Sequence, residues 1–263
     1  MALLAERWHR LHNIPLKRWM LFFGTEIFVH LFLDGFNVYG IGWLEPFSHE
    51  RFALNTIFVA DPFFSFWAGI AFLMLLVLKR HHHHRKFWWR FGIILPSIYL
   101  IFCVFNKSTI DADVKTAFAK ENILHKEYLT VPTPLNNFLW YIVAENDSGF
   151  YIGYRSVFDS KRDIQFQFFP RKESLLRNVT DHEELQRLKR FSRGFYTADD
   201  NEDTLVFNDL RFGQIAGWKN AEAPFVFRFY LQHNDNALVV QRGRFAEWNK
   251  ATIQSLIQRI KGN

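Results

Sequence analysis

Apolar side chains in the first 106 residues come in long blocks separated by short charge clusters. From Lys107 onward charged and apolar positions are interspersed, as in a water-facing domain. A bilayer crossing needs about 20 predominantly apolar residues. Three blocks approach that length, at 19–36, 62–78 and 88–105. Trp88 and Trp89, at the start of the third, suit the interfacial belt where amphipathic rings collect.

Beyond the last block the pattern turns to short runs. Residues 138–145, 149–158, 164–169, 204–207 and 225–232 read as strands. Asn146-Asp147-Ser148-Gly149 is a hairpin signal between the first two. Residues 109–128 predict a juxtamembrane helix with Ser108 or Thr109 as its cap, and Pro132 and Pro134 then break the chain. Further helices are expected at 181–195 and 245–261. The predicted fold is an α-helical membrane region of about three transmembrane helices over 1–106. A small α+β domain with an antiparallel sheet follows over 107–263.

Charge refines this picture. The formal net charge is +6, but many of the first half's positive residues lie at 7–18 and 79–90. Both clusters flank apolar blocks, as cytoplasmic loops do. Three spans from an inside N-terminus put the C-terminal domain across the membrane, in the periplasm of a cell with an inner membrane. The remaining basic residues are interleaved with acids, which argues against nucleic acid as a partner and for the lipid bilayer. Cys103, the single cysteine, forms no internal disulfide.

Within the first apolar block stand Glu26, His30 and Asp34, at i, i+4 and i+8, so they share one helix face. A charge near the bilayer centre costs about 2.5–3.5 kcal/mol on insertion scales. His30 and Asp34, one turn apart, are placed to share a divalent ion. Glu26 lies about 12 Å from Asp34 along the axis, too far for that ion, and suits the role of a proton acceptor orienting the imidazole. The same stripe also reads as a polar seam that hydrogen-bonds neighbouring helices, and spacing leaves both readings open.

Asp61 before Pro62 is explained by an N-cap with proline at the first helical position, yet it also sits where a third ligand is reasonable. Asn37 offers an amide close by, and Gly40 a turn with positive φ. His81 to His84 lie among Lys79, Arg80, Arg85 and Lys86 and read as a cytoplasmic connector. Around Tyr154–Asp159, Arg190–Tyr196 and Asp209–Gly213, arginines recur beside aromatics. They suit either a groove for an anionic head group or structural ion pairs and cation–π contacts.

Taken together, HLFLDGFNVYG from His30, PFS from Pro46 and RFALNTIFVADP from Arg51 resemble the inner-membrane metal-dependent hydrolase family of the YdjM/YbcI type. Downstream, PTPLNNFLWYIV, YIGYRSVFD, RFSRGFY and DLRFG are similar to that family's extra-membrane domain. The resemblance implies a bacterial inner-membrane hydrolase with a divalent ion on His30, Asp34 and Asp61, tuned by Glu26; His plus carboxylate suits Zn, Mn or Fe. Fuller members carry a further N-terminal membrane half with Asp and His residues that has no counterpart before His30. The resemblance thus implies a missing half, an additional membrane subunit, or a relative without activity. The rival expectation is a non-catalytic inner-membrane protein whose outer domain binds an envelope partner.

Overall fold

The computed structural model describes residues 1–8, 14–161, 163–179, 181–201, 204–231 and 248–262. Parts of three expectations, at 9–13, 232 and 245–247, lie outside them. The chain forms two compact units, Met1–Asn55 and Thr56–Asn263.

The first unit holds α1 (Ala2–Trp8) and α2 (Leu16–Asp34). After α2 the chain folds back on itself. Leu54 N–H donates to Gly35 O, and Ile41 pairs with Phe52 through two backbone hydrogen bonds of 2.9 Å. Gly40 has φ +63°, and a Cβ there would stand 2.5 Å from Phe52 O, so glycine is required on two counts.

The second unit begins with an antiparallel helical hairpin, α3 (Pro62–Val77) and α4 (Arg85–Glu121). Asp61 caps α3 by accepting from the Phe63 and Phe64 amides, with Pro62 at the first turn, as the Asp-Pro step predicts. The helices touch closely where Gly92 faces Ala71: a Cβ on Gly92 would lie 2.6 Å from that of Ala71. Such small-residue contacts let backbones approach. Arg85 closes the basic turn by donating to Leu75 O and Leu78 O.

Two expectations are corrected here. Among the described residues one helix, α4, is long and apolar enough to cross a membrane, not about three. Helix α2 has the length but carries Lys17, Arg18, Glu26 and Asp34. Helix α3 is apolar throughout, yet its 16 residues rise only about 24 Å, short of a hydrocarbon core of roughly 30 Å. The apolar stretch of α4 is 11% buried, so it is no core helix of the soluble kind; its isoleucines and phenylalanines face outward.

The second correction is that no separate helix starts near residue 109. Helix α4 runs unbroken past Asn106 and ends at Asn122, whose φ of 52° supplies the left-handed stop. Ser108 and Thr109 cap nothing; Thr109 Oγ1 instead donates back to Phe105 O within the helix. Past the apolar stretch, Ile110, Val114, Ala117 and Phe118 become fully buried against Trp140, Ile142, Ala144 and Ile164.

Among the described residues, seven strands form two antiparallel sheets. The first has the order β1 (Tyr128–Pro132), β2 (Leu139–Glu145), β3 (Gly149–Ser156), β4 (Phe166–Pro170); the second has β5 (Tyr196–Asn201), β6 (Thr204–Gln214), β7 (Phe225–Tyr230). Alternation assigns the faces. Trp140, Ile142 and Ala144 of β2 meet α4. Between the sheets, Phe150 and Phe195 approach to 5.9 Å between ring centroids, Phe169 and Phe225 to 5.4 Å, and Tyr141 packs on Gly213. The layers are therefore helix, sheet, sheet. Helices α5 (His182–Phe191) and α6 (Lys250–Ile260) complete the domain.

Candidate functional site

In α2, the i, i+4 spacing does what the sequence predicts: His30 Nε2 lies 3.4 Å from Asp34 Oδ2. Both side chains are accessible. Asn37 Nδ2 donates to Asp34 Oδ1 at 3.3 Å, while Asn37 Oδ1 accepts from the Tyr39 and Gly40 amides. The buried asparagine thus ties the carboxylate to the turn, with one oxygen held and the other toward the imidazole. Glu26 makes no hydrogen bond to His30 among the described residues.

Imidazole and carboxylate ligands about 2.0–2.2 Å from a tetrahedral cation stand about 3.3–3.6 Å apart. The His30–Asp34 separation fits two neighbouring positions of one shell. Among the described residues, no group of three or more His, Cys, Asp or Glu is gathered that could hold a metal ion. What the structure brings together is one imidazole and one carboxylate, 3.4 Å apart.

Asp61 belongs to the second unit. Its Oδ1 accepts both cap hydrogen bonds, at 2.8 and 3.2 Å, and its Oδ2 accepts from the Tyr99 hydroxyl at 2.9 Å. The Tyr99 contact, invisible to local spacing, joins α3 to α4. Tyr99→Phe would leave Oδ2 of this buried carboxylate without its hydroxyl donor, at an expected cost of about 1–3 kcal/mol. Thermal unfolding in detergent reads it, and an unchanged melting temperature would contradict that role.

A ladder of asparagines continues outward from the hairpin. Asn106 Nδ2 donates to Asn137 O and Oδ1, and Asn137 Nδ2 donates to Thr56 O at 2.7 Å. Phe63, Phe102 and Phe158 surround Phe138 with centroids 5.6–6.1 Å away.

Two of the three arginine-plus-aromatic segments resolve into structural pairs, while Arg190 and Arg193 of the third make no ion pair among the described residues. Arg155 meets Asp113 and Asp159, and Arg259 grips Asp159 from α6. Arg211 pairs with Asp209 two residues away, at a β-bulge in β6, and lies over the rings of Phe191 and Phe212. Burial pushes the Asp209 carboxyl upward, opposed by the Arg211 guanidinium. Burial likewise lowers the Lys107 ammonium, opposed by Asp111.

An exposed apolar helical hairpin, carried into a β-rich domain by one of its own helices, is the architecture of a membrane-anchored protein with an appended globular domain. Residues 1–110 match the family model described as YdjM inner membrane protein. That segment contains α2, its turn, α3 and most of α4, including His30, Asp34 and Asp61, and is thus similar to a family of inner membrane proteins. No curated protein and no solved structure matches the chain.

Proposed function

We propose that this is a bacterial inner-membrane protein in which His30 and Asp34 hold a divalent ion used for hydrolysis. The observation that carries the reading is the 3.4 Å separation of His30 Nε2 and Asp34 Oδ2, with Asn37 fixing the carboxylate. When bound, such an ion lowers the pKa of a coordinated water and polarises the scissile group.

The chain's own residues have separate tasks in this reading. Asn37 keeps Asp34 Oδ1 occupied so that Oδ2 is presented. Glu26, one turn before His30, makes no hydrogen bond to the ring among the described residues, and takes the orienting role only by turning its carboxylate toward it. Asp61 keeps its helix cap and its hydrogen bond from the Tyr99 hydroxyl. Remaining ligands are assigned to an additional membrane segment or subunit, as the resemblance implies. The basic turn between α3 and α4 supports a cytoplasmic placement of that end. The β-rich domain, at the opposite end of the hairpin, is then periplasmic.

The Asp61–Tyr99 bond favours a second reading, a non-catalytic membrane protein whose polar groups pack helices. Metal analysis of purified protein separates the two. His30→Ala is expected to reduce tightly bound divalent metal at least tenfold, with His30→Cys retaining part of it. Unchanged metal content would remove the ligand assignment and leave the packing role.

A further inference from the structure

A crevice of about 720 Å³ opens between the two sheets of the extra-membrane domain, beside edge strand β4 and the turn after β6. That volume lies within the range of small-molecule sites. It belongs to neither the membrane hairpin nor the His30–Asp34 pair.

Its inner surface is built and fixed. Tyr154 donates to Gln214 Oε1 at 3.2 Å, and burial pushes the phenol pKa up, so the hydroxyl stays a donor. Gln214 Nε2 donates to Ala221 O and Ala223 O, both at 2.8 Å, which fixes the turn. A Cβ on Gly217 would stand 2.1 Å from the Tyr154 hydroxyl, so the turn backbone lies directly on the phenol. Arg259 is spent on Asp159 and Tyr154 O, and the indole of Trp218 on Ser255 Oγ. Asp163, the acid in the lining, is paired with Lys120 at 2.5 Å.

Four polar side chains on the walls are uncommitted. Lys161, Lys219, Gln165 and Gln167 make no ion pair and no side-chain hydrogen bond among the described residues, although all line the crevice. Gln167 lies in β4 and Gln165 just before it, two positions apart in the chain. Lys161 lies near enough to the Asp163 carboxylate to help hold its pKa down, but Asp163 is bonded to Lys120. The two ammonium groups therefore select an anion, two amides present donors and acceptors suited to hydroxyls, and Trp218 adds an aromatic surface for an apolar ring face.

We infer that this crevice binds an anionic polyol, a phosphate carried on a sugar or glycerol unit. The ammonium groups of Lys161 and Lys219 engage the phosphate, the two glutamines the hydroxyls, and Trp218 the carbon skeleton. A free sugar phosphate and the head group of an anionic glycerolipid share this chemistry.

Calorimetric titration of the full chain in neutral detergent tests it, with glucose 6-phosphate and glycerophosphoglycerol as probes and glucose as the uncharged control. At least one phosphorylated probe is expected to bind, and glucose at least tenfold more weakly. Lys161→Gln combined with Lys219→Gln is expected to weaken that binding tenfold or more without shifting the melting temperature, since both lysines are exposed. The tighter of the two probes identifies the source, soluble sugar phosphate or lipid head group. Binding of neither probe, or binding that the double substitution leaves unchanged, overturns the assignment.

Discussion

Arg155→Ala is expected to destabilise the extra-membrane domain by about 3–5 kcal/mol, the cost of breaking a buried charge cluster from one side. The guanidinium donates to Asp113 Oδ2 from Nε at 3.1 Å and from Nη2 at 2.8 Å, and Nη1 lies 3.4 Å from Asp159 Oδ2. Arg155 is 5% exposed and Asp159 3%, so water cannot replace the lost partner. Arg259, from α6, binds both oxygens of Asp159. One arginine in β3 therefore ties α4, the loop after β3 and α6 together. Arg155→Lys is expected to recover only part of the loss, because an ammonium has no forked geometry. Denaturant unfolding of the purified protein checks this. A loss below about 1 kcal/mol would place the cluster with ordinary surface ion pairs.

Trp140→Ala carries the second large effect, about 3–5 kcal/mol for an aromatic-to-alanine truncation in a packed core. Trp140 is fully buried between β2 and α4, its indole N–H donates to Asn137 O at 3.2 Å, and Lys107 stands over its ring at 6.0 Å. Limited proteolysis with circular dichroism should show the β-rich domain loosening from α4. Trp140→Phe, which keeps most of the volume, should lose clearly less. Equal losses for the two substitutions would mean that the indole hydrogen bond, not packing, sets the cost.

Residue patterns forecast the local features well and the long-range ones poorly. The Asp61 cap, the positive φ of Gly40 and the 146–149 hairpin follow from short-range chemistry and are present. Strands β2, β3, β4 and β7 fall close to their predicted runs. Strand β1 went unread because Pro132 looked like a break; as an edge strand it tolerates a terminal proline. Strand β5, Tyr-Thr-Ala-Asp-Asp-Asn, has little intrinsic strand preference and is held by pairing with β6.

The membrane region was over-read for a physical reason. Three apolar blocks look alike by composition, but charges in α2 and the short length of α3 separate them from α4. At the candidate site, the i, i+4 rule placed His30 beside Asp34 correctly. Tyr99 as the partner of Asp61 lies 38 positions away, and no local pattern signals it. The inter-sheet crevice was likewise illegible, because Lys161, Gln165 and Lys219 converge only through sheet packing.

Helix α4 has a mechanical consequence. Downstream of Pro96, the proline inside it, the helix runs unbroken from its apolar turns into its sheet-packed turns, so these turns share a fixed azimuth. Each residue advances the angle by about 100° and the height by about 1.5 Å. Any roll or tilt of the turns that follow Pro96 is therefore delivered to the β-layers as a rigid turn.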